Sequence, residues 1–136
     1  MELLTNKMLL KLLDGWLIFA LAGQAIADSL SCAKRGYDNG IYSKEAKLFK
    51  PLAREGDPTA QYYLGLMYGA GQGVPQNYVL AHMWSTIVVA TTREGELHQN
   101  ASSSLASIEK NMTTQQIAKA QEAAIACTSS KPKNCN

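Results

Sequence analysis

The stretch from Ala60 to Trp84, AQYYLGLMYGAGQGVPQNYVLAHMW, most constrains what this chain can fold into, because it spells a helix, a glycine-rich turn and a second helix in immediate succession. At helical spacing Ala60, Leu64, Met67 and Tyr68 share one face, the pattern of an amphipathic helix with an apolar stripe to bury. Asp57 and Pro58 mark its start, since a carboxylate accepts from orphan backbone N–H groups and a first-turn proline loses nothing by lacking one. Its stop is GAGQG, Gly69 to Gly73. Three glycines in that run permit positive φ, and Pro75 blocks any backward extension of the next helix, which Asn77 caps. In the second helix Ala81, Trp84, Ile87 and Val88 share a face. Gly65 and Ala81 are small enough for two helix backbones to approach closely while Trp84 fills the wedge, so the pair reads as an antiparallel hairpin. Gly69, Gly71 and Gly73 have the wrong spacing for a dinucleotide or phosphate loop, and no strand pattern precedes them.

Halves of this unit recur. Ala46, Phe49 and Leu52 precede Ala81, Trp84 and Ile87 at one constant offset, and Ala101, Leu105 and Ala106 follow Ala60, Leu64 and Gly65 at another. Tyr37 and Gly40 precede Tyr68 and Gly71 at a third constant offset, which predicts a leading helix over Ser31 to Asp38. Paired helices at a period of roughly 30 to 45 residues predict an all-α chain, a short α-solenoid of antiparallel helix hairpins in which each hairpin hides its apolar face by stacking on a neighbour. A final helix follows Met112. Thr113 and Gln116 have the spacing of a capping box, and this helix is expected to seal the end of the stack up to Cys127.

The pattern A-x-x-x-L-G-x-x-Y-x-x-G-x-G-V, followed by Tyr78-x-x-Ala81-x-x-Trp84, resembles the Sel-one-like repeat family, relatives of the tetratricopeptide repeats. Ala60, Leu64, Gly65, Tyr68, Gly71, Gly73, Val74, Ala81 and Trp84 carry the resemblance. It covers one full repeat, about 57–95, with looser half-units on either side in a repeat domain spanning 28–127. The M-T-x-x-Q-I-x-x-A-Q stretch from Met112 is similar to the tails of small exported bacterial members. The resemblance implies an interaction module, an adaptor or scaffold holding a protein or peptide in a helical groove, with no catalytic residues, cofactor or metal. Two features depart from the family pattern. VVATTREG after Ile87 is longer than the equivalent run after Leu52, and the serines at 102 to 104 replace bulky positions, so the resemblance does not fix the geometry of the last hairpin.

Positions 1–27 have a composition of their own. Lys7 and Lys11 form a basic start, Gly15 to Ala22 an apolar core, and Ala25-Ile26-Ala27 a small-residue cleavage site before Asp28, which predicts a signal peptide cleaved after Ala27. Glu2 and Asp14 are atypical of such a leader, and translation from Met8 would give a more regular one. The apolar segment is short for a membrane span, so a cleaved leader is preferred to a retained anchor and a periplasmic or secreted location is expected. Cys127 and Cys135 suit that destination: a disulfide between them would tie the polar tail, 128–136 with its Pro132, back onto the last helix. Cys32 is left over. It reads as a buried apolar residue, an intermolecular partner, or the mate of Cys127 with Cys135 free; SLSC is a poor lipid-attachment motif because Ser29 replaces an aliphatic residue.

The formal net charge is +2, the basic residues are scattered, and no arginine and aromatic array suited to stacking bases is present, which argues against nucleic acid. His82 and His98 have no ligand-like company. His82 is expected on the exposed flank of the second helix, and His98 at the start of the next, capping or solvated. S-x-x-K occurs at Ser31 to Lys34 and at Ser107 to Lys110, without the S-D-N or K-T-G partners of penicillin-recognising enzymes. Some exported relatives of the resembled family are associated with β-lactams, but they carry a cysteine pair inside each repeat and this chain does not. An enzyme acting on cell wall or β-lactam substrates is therefore the weakest alternative, behind a secreted effector on the same scaffold.

First helices line the concave face of such a stack. Thr59, Tyr62 and Leu66 are expected to face the groove from the central unit, with Asn100, Ser103 and Ser107 as their counterparts in the following half-unit. Tyr62 and Leu66, an aromatic and an aliphatic at i, i+4, are the strongest candidates for contact with an extended segment. The competing reading packs both against the leading and final helices.

Overall fold

The computed structural model describes residues 23–130 and Cys135. The basic start and apolar core of the expected leader, and the tail around Pro132, lie outside the described residues. Those described are all-helical: α1 (23–38), α2 (Tyr42–Arg54), α3 (Pro58–Ala70), α4 (Tyr78–Thr92), α5 (Glu96–Glu109) and α6 (Thr114–Ser129). The expected leading helix is present and begins earlier than Ser31. The last helix runs past Cys127 to Ser129, so the tail is shorter than expected.

The caps act where the sequence places them. Asp57 Oδ1 accepts from the Ala60 N–H at 2.7 Å, with Pro58 in the first turn of α3. Asn77 Oδ1 accepts from the Leu80 N–H at 3.1 Å and opens α4. In α6 the Thr113 hydroxyl accepts from the Gln116 N–H while the Gln116 carboxamide accepts from the Thr113 N–H, a complete capping box. The orphan carbonyls at the end of α3 are also satisfied. Met67 O accepts from Gly71 and Gln72, Tyr68 O from Asn77, and Gly69 O from the Gln76 side chain. Gly71 takes the left-handed cap conformation at φ +67.

Close approach explains Gly65. A Cβ there would lie 3.3 Å from Ser85 Oγ and 3.5 Å from Trp84 Cβ, and one at Gly69 would lie 3.7 Å from Ala81 Cβ. Moving back along α3 thus moves forward along α4, and the two helices run antiparallel. Gly73 has a second duty. At φ +70 its Cα faces the backbone at the start of α2, where a Cβ would overlap the Tyr42 carbonyl and sit 2.9 Å from Ser43 N. The glycine turn is therefore both a reversal and a seat for the preceding helix.

The spaced positions agree in burial across the upstream half-unit: Ala46, Phe49 and Leu52 are buried, as are Ala81, Trp84 and Ile87. Downstream, Ala101 is buried like Ala60, Leu105 is half-buried, and Ala106 is exposed where Gly65 is buried. Ile108, the counterpart of Met67 at the same spacing, takes over the apolar anchor of α5. The longer run after Ile87 carries α4 on to Thr92, whereas α2 stops at Arg54, soon after Leu52. Arg93 at φ +60 and Gly95 at φ +96 then turn the chain into α5.

Packing makes α4 the central helix, in contact with α3, α5 and α6, while α2 packs on α3. That explains its composition, since a helix enclosed on several sides is apolar all round. His82, expected on an exposed flank, is only 1 % exposed, and Met83 and Ser85 are buried as well. The His82 imidazole faces the end of α5, where Glu109 Oε1 lies 3.0 Å from Nε2; α6, whose Ala120, Ala124 and Cys127 are buried, is the third neighbour of α4. Cys127 and Cys135 form the expected disulfide, Cα to Cα 4.9 Å, and both are buried in the core with Ala53, Leu64, Trp84 and Ile87. By chain entropy such a short loop contributes about 2–3 kcal/mol. Cys32 is a free thiol and exposed, which removes both the buried reading and the alternative pairing with Cys127.

Candidate functional site

Between α3 and α5 lies a cleft of about 270 Å³. Leu66 and Ala70 from α3 and Ile108 from α5 form its apolar surface; Gly69 presents half-buried backbone there, with buried Gly65 at its floor. Ser104 and Ser107 from α5, with Asn111 and Tyr78, supply the polar groups. The Tyr78 hydroxyl accepts from Gln76 Nε2 at 3.1 Å, and Asn111 Nδ2 donates to the Ser107 carbonyl at 3.3 Å, so both ends of the cleft are tied to the fold.

Of the expected groove residues, the cleft unites Leu66 and Ser107. Asn100 and Ser103 are exposed or nearly so on α5, and Thr59 is half-buried in the first turn of α3. Tyr62 leans edge-on against Tyr63, ring centroids 5.5 Å apart, outside the cleft lining. The displacement has a simple cause: α5 is anchored by Ala101 and Ile108, and the stripe that accompanies them toward the α5 C-terminus is Ser104, Ser107 and Asn111. That i, i+3, i+7 stripe begins among the serines that replace bulky positions in the sequence. It marks the cleft, not a packing fault.

Ser107 of the second S-x-x-K spelling lines the cleft, but no carboxylate, imidazole, amine or thiol is among the lining residues. Among the described residues no group of three metal-ligating side chains occurs, and no helix is long and apolar enough to cross a membrane. His82 is committed to structure. Its Nε2 lies 3.0 Å from Glu109 Oε1 and its Nδ1 3.1 Å from Thr86 Oγ1. His98 Nδ1 lies 3.4 Å from Thr92 Oγ1 and joins the start of α5 to the end of α4. Comparison of the chain with family models, with curated proteins and with solved structures finds no match.

Beside the cleft, on the α1 side of α3, an aromatic cluster joins three helices. Tyr37 meets Tyr42 and Tyr63 edge-on at 5.3 and 5.0 Å, and Tyr63 stacks on Phe49 at 5.2 Å. The Tyr37 hydroxyl donates to Gln72 Oε1 at 3.2 Å, which fastens α1 to the glycine turn. Burial first, then neighbouring tyrosines and Asp38, raise the Tyr37 ionisation above its ordinary value of 10.0; burial and then Asp38 and Tyr62 do the same for Tyr63. The fold therefore favours the neutral phenols. Their stabilising contribution is complete below pH 10 and is lost as pH rises from there through the raised values. Urea midpoints measured from pH 8 to 11 should fall above pH 10, and Tyr37→Phe should flatten that fall; an unchanged slope in the variant would count against a buried Tyr37 phenol.

Proposed function

We propose that this chain is a Sel-one-like repeat protein of the bacterial cell envelope, a non-catalytic adaptor that holds a peptide or protein segment in the cleft between α3 and α5. The observation that carries the reading is the cleft itself, which joins Leu66 and Ser107 across two helices that the repeat spacing pairs. Its lining suits an extended segment. Apolar side chains contribute contact area, and the serine hydroxyls and half-buried Gly69 backbone offer hydrogen bonds without charge. The disulfide fits an oxidising compartment. Residues 23–27 are all exposed, so among the described residues cleavage after Ala27 would remove none that is buried.

The test places a photo-crosslinking residue at Ser107 in the protein expressed in its native envelope, with the same residue at exposed Gln121 on α6 as control. A discrete adduct is expected from position 107 alone. Leu66→Glu should reduce that adduct at least tenfold, the scale of losing a central contact, while leaving the melting curve cooperative. Adducts equally strong from position 121, or indifferent to Leu66→Glu, would refute the assignment of the cleft.

A further inference from the structure

The two walls of the cleft between α3 and α5 differ in kind. The α3 wall carries Leu66 and Ala70 and no polar side chain, whereas the α5 wall sets Ser104 and Ser107 beside Ile108. The protons of those two hydroxyls are unengaged. Ser102 on the same helix donates to the His98 carbonyl at 2.8 Å, but among the described residues no hydrogen bond holds the hydroxyl of Ser104 or Ser107. At the cleft's ends the Tyr78 hydroxyl accepts from Gln76 and keeps its own proton, and Asn111, whose Nδ2 donates to the Ser107 carbonyl, keeps Oδ1 as an acceptor.

Dimensions favour an extended occupant over a helical one. One turn of α-helix, about 10–12 Å across and about 5.4 Å tall, fills about 400–600 Å³, more than the cleft's volume of about 270 Å³. A dry cavity of about 150 Å³ holds benzene, so the cleft has room for one large side chain and the backbone that carries it. Ser104 and Ser107 stand about 4.5 Å apart along α5 and Leu66 and Ala70 about 6 Å apart along α3, which is the length of about two residues of extended chain. The lining also disfavours charge. No acidic or basic side chain lines the cleft: Glu109 and Lys110, which follow Ile108, are both outside it, and the Glu109 carboxylate lies 3.0 Å from His82 Nε2. A charged side chain seated there would lose water without gaining a counter-ion.

Resting on the reading of this cleft as a peptide site, we propose that its occupant is an extended, uncharged segment that sets one large apolar side chain against Leu66, Ala70 and Ile108. The backbone on either side of that anchor turns its carbonyls to the α5 wall, where the Ser104 and Ser107 hydroxyls donate to them. The apolar wall and the hydroxyl wall thus read different parts of the same short stretch. Rejection of both signs of charge at the anchor position is the property that separates this occupant from an acidic or a basic segment.

The probe is a set of immobilised heptapeptide pools, each with a fixed central residue and a mixture of uncharged residues at the other positions, incubated with the labelled, oxidised protein. Pools centred on Leu or Phe should retain at least fivefold more protein than pools centred on Ala, Lys or Glu, and Leu66→Glu should abolish that retention. Ser107→Asp, a change at an exposed position that adds the missing counter-ion, should raise retention on Lys-centred pools at least fivefold and leave Glu-centred pools empty. Ser104→Ala combined with Ser107→Ala should weaken the Leu and Phe pools at least threefold without changing their rank. Retention that Leu66→Glu abolishes but that is equal for charged and apolar centres would overturn the neutral anchor and leave the peptide reading of the cleft standing. Retention on no pool above background would overturn both. A Ser107→Asp variant that melts cooperatively and gains nothing on Lys-centred pools would overturn the placement of the anchor beside Ser107.

Discussion

Trp84→Ala is expected to lower the free energy of unfolding by about 3–5 kcal/mol, a large share of the roughly 5–15 kcal/mol that holds a small domain together. Trp84 is 2 % exposed, and its side chain lies where α2, α3 and α4 meet, among Lys50, Leu64, Tyr68 and Leu80, with Cys135 at the same point. Two features prevent collapse onto the space it would vacate. Its Cβ already sits against Gly65 at near-minimal helix separation, and the disulfide fixes Cys135 from the other side. Urea denaturation measures the loss. Trp84→Phe should cost less than half as much, and Ile125→Ala, at a site 67 % exposed on α6, should stay within about 0.5 kcal/mol of the parent. A loss under about 1.5 kcal/mol for Trp84→Ala would mean that the helices close over the void.

Gly73→Ala is expected to cost about 2–4 kcal/mol, the sum of a left-handed backbone without glycine and an overpacked contact. The contact is with backbone, the Tyr42 carbonyl and the Ser43 nitrogen, which no rotamer change can move aside. Either the glycine turn or the first turn of α2 must shift, and the Tyr37 to Gln72 hydrogen bond beside it would be strained too. Gly56→Ala supplies the comparison, because Gly56 has φ +96 with nothing within 4 Å of its Cβ position. It carries backbone strain alone, so its cost should be about 1–3 kcal/mol. Equal losses in the two variants would show that α2 yields freely, and that the turn does not seat it.

Local signals in the chain proved readable because their physics is local. The caps at Asp57, Asn77 and Thr113 depend on residues three positions apart, and the glycine turn depends on conformations available to glycine. The disulfide was legible from spacing, since a cysteine ending a helix and another a short way on have few other ways to meet. His82 failed for the opposite reason. Its imidazole meets the end of α5, an element distant in the chain, and no periodicity within α4 records that arrival. Of the pairs that the same spacing sets opposite one another, Leu66 and Ser107 both line the cleft between α3 and α5, whereas Tyr62 and Ser103 do not. An offset conveys only a spacing, and the packing of α5 decides which residues meet.

The two imidazole contacts give α5 an unusual mounting. Its first turn is joined to α4 through His98 and Thr92, its last through Glu109 and His82, and between them only Ala101 and Ile108 are buried. Mechanically it is a beam pinned at both ends. Rolling about its own axis would break both pins, whereas bowing outward would break neither and would uncover little apolar surface. The serines lie toward the end of that span, so outward bowing would widen the cleft while the register of its wall is preserved.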